Sequence, residues 1–235
     1  MLPNILSELE IEKKILVVAP HPDDELLGCG GTLLRRGAES GTVAWLLMTG
    51  ITEEAGWTAE RIQQRADEID RVRKGLKIAS HHHYALGFPA AELDRIPMSI
   101  LVGKVSEVFA EFQPNEVLLP YPGDVHSDHR ITFEAASACT KWFRYPSVKR
   151  VLAYETPSET NFGIDPRDSG FKPNVFVDIG EQLEQKLELM RIYESEIGEF
   201  PFPRSEEVLR ALAEFRGSEA GYEAAEAFML LSERT

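Results

Sequence analysis

Short apolar runs alternate along the chain with stretches in which apolar residues recur every three or four positions. Runs such as Ile15–Ala19 are apolar on both faces, which is typical of buried parallel strands. The runs predict strands at 15–19, 43–49, 82–86, 116–119, 148–155 and 174–178. The helical periodicity predicts helices at 26–39, 59–76, 98–112, 131–142, 181–194 and 205–216.

This alternation predicts an α/β fold with a mostly parallel sheet and helices on both faces. The chain has no internal repeat, low-complexity tract or linker, so we predict a single domain over residues 1–235. Ligands of such sheets bind beyond the carboxyl ends of the strands, where the strand order reverses. Two loops, at 20–25 and 121–130, follow strands that are neighbours at this point in the commonest strand order.

The charge balance narrows the function classes. The 235 residues include 25 Lys and Arg against 39 Asp and Glu, a formal net charge of −14. Nucleic acids and anionic membrane surfaces need clustered cations, so the balance argues against both as partners. No apolar run approaches the roughly 18 residues of a membrane span, and residues 1–10 lack the basic region of a signal peptide. With only Cys29 and Cys139 to form disulfides, we predict a cytoplasmic location.

The first loop, His21-Pro22-Asp23-Asp24-Glu25, brings an imidazole and carboxylates to a predicted strand-to-helix turn. His21 and Asp24 are three residues apart, so both can reach over the same end of the sheet and bind a metal ion. The side chains of Asp23 and Asp24 cannot both point the same way, so one of them could bind the ion while the other faces a water molecule on it. The alternative is that the acidic residues only complement the positive end of the following helix.

A glycine-rich run, Gly28-Cys29-Gly30-Gly31, comes next. A dinucleotide-binding fingerprint would need a further glycine at position 33, which is Leu33. We therefore attribute the run to close packing of a helix on the sheet rather than to nucleotide binding.

The second loop holds two histidines and two aspartates within six residues, namely Asp124, His126, Asp128 and His129. His21, Asp24 and one of these histidines would make a set of two imidazoles and one carboxylate. Such a set keeps a position open for water, as catalytic Zn²⁺ sites do, and it also suits Fe²⁺. The other histidine would meet a developing oxyanion, and Asp128 would orient an imidazole. The alternative is a polar loop that caps the helix predicted at 131.

His81-His82-His83 is a competing cluster. Neighbouring side chains of a strand point to opposite faces, so three successive histidines do not easily bind one ion. We expect a structural role or a place on a rim for them.

The segment Ala19-Pro20-His21-Pro22-Asp23-Asp24-Glu25, with the later His126-Ser127-Asp128-His129, resembles the PIG-L/LmbE-like deacetylases. Weaker similarity continues at Arg65, Glu68, Leu86–Pro89, Phe171–Ile179, Lys186 and Tyr193. The resemblance implies a Rossmann-like fold and a metal-dependent enzyme. The implied reaction removes the acetyl group from an N-acetylglucosamine-type sugar or glycoconjugate, leaving acetate and a free amine.

The resemblance also implies residue roles. The implied metal ligands are His21, Asp24 and His129. The implied catalytic residues are Asp23 as general base, His126 as oxyanion donor and Asp128 as partner of a histidine. Arg65 would contact the sugar. The metal is expected to be Zn²⁺, with Fe²⁺ or another divalent ion as alternatives, and a homo-oligomer is left open.

One departure concerns substrate contacts. Many members have an acidic residue just after the Leu-Gly-x-Pro segment, where this chain has Ala90, and Asp94 is a candidate replacement.

Other functions also stay open, namely an amidase for larger amino-sugar conjugates and a non-catalytic carbohydrate- or metal-binding module. The segment 156–173 and the tail after Phe200 are candidates for the rim of the site or for an assembly surface.

Overall fold

The computed structural model describes residues 13–235, so residues 1–10, where the sequence predicts no signal peptide, lie outside the described part. The strands are β1 (Lys14–Ala19), β2 (Thr42–Gly50), β3 (His83–Pro89), β4 (Glu116–Pro120), β5 (Arg150–Tyr154), β6 (Val175–Asp178) and β7 (Ala225–Glu233). The helices are α1 (Asp24–Ala38), α2 (Ala59–Gly75), α3 (Met98–Phe112), α4 (Ser127–Ser137), α5 (Leu183–Met190) and α6 (Glu206–Ala220).

All these strands form one seven-stranded sheet in the order β3-β2-β1-β4-β5-β7-β6. β1 to β5 pair in parallel, whereas β7 is antiparallel to both β5 and β6. The mostly parallel α/β sheet predicted from the sequence is therefore confirmed. None of the helices within 13–235 is long and apolar enough to cross a membrane.

The core consists of two apolar layers, one on each face of the sheet. Alternate residues of β1 enter different layers, with Val17 on one side and Val18 on the other. The first layer contains residues of α1, α2, α5 and α6, and the second contains residues of α3 and α4. Helices cover both faces of the sheet, as predicted, so the ends of the strands are the parts of the sheet that the helices leave uncovered.

Several element bounds differ from the sequence expectation, for example those of α5, which covers Leu183–Met190 rather than 181–194. Two further differences have a physical explanation. α4 begins at Ser127 rather than at 131, because the Nδ1 atom of His126 accepts a hydrogen bond from the Asp128 backbone N–H (3.0 Å) and caps the helix. β7 was not predicted at all. Its residues include Ala, Glu, Met and Leu, which favour helices in isolation, but pairing with two strands overrides that preference.

The glycine-rich run brings α1 close to neighbouring elements. A Cβ atom on Gly31 would lie 2.7 Å from the Cβ of Ile179, and one on Gly28 would lie 2.3 Å from the Tyr154 ring. These short distances agree with the packing role expected for the glycine-rich run. The N-terminus of α1 lies at the carboxyl end of β1.

Gly31→Ala is expected to lower the free energy of unfolding by about 1–3 kcal/mol, the usual cost of overpacking a core. The matched control is Gly37→Ala in the same helix, where the nearest atom to the new Cβ is 4.0 Å away. That change should be neutral or should stabilise the protein by up to about 1 kcal/mol, because Ala favours helix over Gly. Urea unfolding of both variants measures the difference, and equal stabilities would contradict close packing at Gly31.

Candidate functional site

The site lies at the carboxyl ends of β1 and β4, which are adjacent in the sheet. The strand order reverses between them, as expected from the sequence, so the loops that follow the two strands meet. α1 and α4 begin at these loops, and their first turns carry the residues singled out from the sequence. Both predicted loops therefore contribute to one group of side chains.

His21, Asp24 and His129 form the centre of this group. Each offers one ligand atom, and the three atoms lie within 4.8 Å of one another. The Oδ2 atom of Asp24 is 3.4 Å from His21 Nδ1 and 3.3 Å from His129 Nε2. Asp24 and His129 are buried, and His21 is partly exposed. Two imidazole nitrogens and one carboxylate oxygen fit a divalent cation such as Zn²⁺.

Each of these two histidines forms a hydrogen bond with a second carboxylate through its other ring nitrogen. Asp128 accepts from His21 Nε2 at 2.9 Å and also from the backbone N–H groups of Ala91 (2.7 Å) and Leu93 (3.2 Å). Asp124 lies 2.8 Å from His129 Nδ1. Such partners fix the orientation and tautomer of ligating histidines in metal sites.

His21, His126 and Asp128 form a second group with metal-ligand spacing. The oxygens of Asp128 are already bonded to His21 and to two backbone N–H groups, however. Within residues 13–235, the set of His21, Asp24 and His129 therefore fits an ion better.

The buried charges around this set favour positive charge at its centre. Burial acts to lower the pKa of His21, but hydrogen bonds to Asp128 and Asp24 outweigh it and raise this pKa to about 9. Burial would raise the pKa of Asp24, yet the neighbouring His129 and His21 hold it well below its usual range. The carboxylates therefore attract cations, whether protons on the imidazoles or a divalent ion.

Asp23 lies beside this set, with its carboxylate in a different direction from that of Asp24. Its φ angle of 133° is in a region that side chains rarely adopt. The conformation is held because its carbonyl accepts from the first turn of α1 and its N–H donates to Glu25 Oε2 at 3.0 Å. Burial, together with the neighbouring Asp24, raises the pKa of Asp23 to about 7.

His126 is positioned as a neutral hydrogen-bond donor. Because Nδ1 accepts from the Asp128 N–H, the ring proton of a neutral imidazole resides on Nε2. Burial and the nearby His21 lower the pKa of His126, which favours the neutral form. His126 packs edge-on against His21, with ring centroids 4.6 Å apart.

These side chains form part of the wall of a cavity of about 630 Å³. Apolar residues of β2 and α2, with the half-exposed Trp57, line another part of the wall. Arg65 also lines the cavity, and its Nη2 atom donates to Ser195 Oγ (3.0 Å) and to Glu196 Oε1. The volume is within the range of cavities that bind small molecules.

For three residues near the site, the sequence did not predict the contacts that the structure shows. They are Asp124 as partner of His129, Glu196 beside Arg65, and Arg204, whose Nη1 donates to Asp23 Oδ2 at 2.7 Å. The first was visible as an acidic residue of the second loop. The other two lie between α5 and α6, and no local pattern distinguishes them. Arg204 belongs to the tail after Phe200 that was considered for the rim, whereas Glu196 precedes it.

Two other candidates lie away from the centre. His83 pairs with Trp45 at the start of two parallel strands, so the triple histidine is at the opposite edge of the sheet from the site. Asp94 is exposed and is not part of the cavity wall, whereas Ala90 is.

Comparisons with known proteins give a consistent result. Residues 16–140 match the family model described as PIG-L, GlcNAc-PI de-N-acetylase. The chain is 31% identical over 229 residues to the diacetylchitobiose deacetylase of Thermococcus kodakarensis, covering 91% of this chain and 81% of the relative. The solved N,N'-diacetylchitobiose deacetylase of Pyrococcus horikoshii, in complex with its inhibitor MPG, superposes with a TM-score of 0.74 at 25% identity. The superposition covers 94% of this chain and 84% of that one.

Proposed function

Because the chain belongs to the GlcNAc-PI de-N-acetylase (PIG-L) family, we propose that it hydrolyses the N-acetyl group of an N-acetylglucosamine-type sugar or glycoside. The products are acetate and a free amine. The observation that carries the proposal is the meeting of His21, Asp24 and His129 with Asp23 in the wall of one cavity. A relative named for deacetylation of diacetylchitobiose supports the substrate class.

The proposed metal ligands are His21, Asp24 and His129, and the proposed ion is Zn²⁺. The donor set of two imidazoles and one carboxylate supports this choice, and Fe²⁺ has similar ligand preferences. When bound, such an ion lowers the pKa of a coordinated water and polarises the acetyl carbonyl. Asp128 and Asp124 would keep the two histidines oriented.

The proposed general base is Asp23. Its carboxylate takes a proton from the water that attacks the acetyl carbon. A C–O bond forms, the C–N bond then breaks, and Asp23 passes the proton to the departing amine nitrogen. The hydrogen bond from Arg204 to Oδ2 would hold the carboxylate in place and leave Oδ1 for proton transfer.

His126 is proposed to stabilise the oxyanion that forms during attack. Its Nε2–H is the donor, and the bond that Nδ1 accepts from Asp128 N–H sets the ring orientation. A preorganised donor of this kind contributes about 3–4 kcal/mol to transition-state stability. Arg65 is proposed as a sugar contact, since it lines the same cavity.

Acetate release tests the proposal. Protein loaded with Zn²⁺ is expected to release acetate from N-acetylglucosamine, N,N'-diacetylchitobiose or an N-acetylglucosaminide. A chelator should abolish the activity and added Zn²⁺ should restore it. Cleavage of bulky N-acyl sugars without acetate release from acetylated ones would instead indicate an amidase for larger conjugates. Sugar binding without any cleavage would indicate a non-catalytic module.

We propose further that the chain is a single domain, since the described strands share one sheet. A cytoplasmic location and a homo-oligomer remain predictions. An acetylated amino sugar is the partner that the family supports.

A further inference from the structure

The cavity contains a carboxylate that the proposed reaction does not use. Glu196 lies in the segment between α5 and α6 and lines the cavity with its side chain 24% exposed. Its Oε1 atom accepts from Arg65 Nη2 and from Ser195 Oγ (2.8 Å). Its Oε2 atom is 3.5 Å from Arg204 Nη1. Glu196 thus joins the arginine proposed to contact the sugar with the arginine that holds Asp23.

The contacts of Glu196 leave it capacity to bind a ligand. An ionised carboxylate has about four acceptor positions. A separation of 3.5 Å is at the limit of a hydrogen bond, so Oε2 can still accept from a donor in the cavity. Burial raises the pKa of Glu196, but Arg65 and Ser195 outweigh it and lower this pKa, so the group is ionised near neutral pH.

The surrounding charges select the kind of ligand. Two guanidinium groups beside the carboxylate disfavour a cationic ligand, and the carboxylate itself disfavours an anionic one. A neutral molecule with hydroxyl groups suits the pair, because a hydroxyl can donate to Glu196 and accept from Arg65 at the same time.

The other residues near the cavity that were considered as hydroxyl acceptors are less suited than Glu196. Asp94 is exposed and lies outside the cavity wall. Ala90 and Ala91, which line the wall, have no hydrogen-bonding side chain. Among residues 13–235, Glu159 is the other glutamate of the cavity wall, but it forms no ion pair with an arginine, so it lacks the adjacent carboxylate and guanidinium that Glu196 and Arg65 offer to one hydroxyl.

We infer that Glu196, paired with Arg65, is the specificity-determining residue that accepts a hydrogen bond from a hydroxyl of the sugar ring. The inference rests on the proposed deacetylase function and adds the carboxylate that recognises the sugar itself. Glu196 thereby takes the role of acidic sugar contact, for which Asp94 was the candidate from the sequence.

The test compares Glu196→Gln with the unmodified enzyme, both loaded with Zn²⁺, on N-acetylglucosamine glycosides and their 3-, 4- and 6-deoxy analogues. In the unmodified enzyme, one missing hydroxyl should raise KM by about 10- to 100-fold, the effect of one charge-assisted hydrogen bond. Glu196→Gln should raise KM for the parent glycoside to a similar extent and change kcat by less than about threefold. For the deoxy analogue that lacks the recognised hydroxyl, the KM of Glu196→Gln should be no higher than the KM of the same variant for the parent glycoside.

Asp94→Asn is the matched control, and it should discriminate among the analogues as the unmodified enzyme does. The inference is overturned if Glu196→Gln keeps the full discrimination, if its only defect is in kcat, or if Glu159→Gln alone removes the discrimination. Failure of the unmodified enzyme to release acetate from any parent glycoside would instead defeat the proposed function. The two failures are therefore distinguishable.

Discussion

Asp23→Asn is expected to lower kcat by about 10²- to 10⁴-fold while the metal content stays at the level of the unmodified protein. The magnitude is the usual contribution of a positioned general base. Asparagine has nearly the same shape, and the hydrogen bonds that hold the strained turn at φ 133° are made by the backbone carbonyl and N–H of residue 23, so this turn should persist. Its amide oxygen can still accept from Arg204, but the amide cannot take a proton from water.

The measurement combines steady-state acetate release with elemental analysis of the purified variant. Asp67→Asn, at an exposed position of α2, provides a control for the chemical change itself and should leave kcat unaltered. Near-normal kcat with metal present in Asp23→Asn would remove Asp23 from the role of base. Loss of metal would show that Asp23 contributes to binding the ion.

The sequence was sufficient for those parts of the site that are local in the chain. His21 and Asp24 belong to one turn, and His126 and His129 belong to the first turn of α4 and its cap. The two pieces could be brought together because parallel strands with loops of this kind place their carboxyl ends at one edge of a sheet. The neighbouring positions of β1 and β4 then followed from the commonest strand order.

The remaining parts depend on tertiary contacts that leave no local pattern. Arg204 meets Asp23 across 181 positions of the chain, and Glu196 meets Arg65 across 131. Both residues lie in an irregular segment, where hydrophobic periodicity gives no position for a side chain. β7 was missed for a related reason, since its strand conformation depends on pairing with β5 and β6 rather than on its own composition.

His129→Ala is expected to abolish acetate release because the protein no longer retains its metal ion. His129 is one of the three proposed ligands, and its ring is 1% exposed between Asp24 and Asp124. Its removal takes away a ligand and also leaves the buried Asp124 without its imidazole partner. Loss of a supporting partner alone typically weakens metal binding by about 10- to 100-fold, so loss of the ligand should exceed 100-fold.

His126→Ala is the matched comparison, because His126 lies in the same turn and lines the same cavity. It should retain the ion and lose about 10²- to 10³-fold in kcat, as expected for removal of an oxyanion donor. Elemental analysis after dialysis, together with acetate release at increasing Zn²⁺, separates the two variants. Full occupancy in His129→Ala would contradict its role as a ligand. If His126→Ala lost the ion and recovered its full kcat when Zn²⁺ was added, the roles of the two histidines would be exchanged.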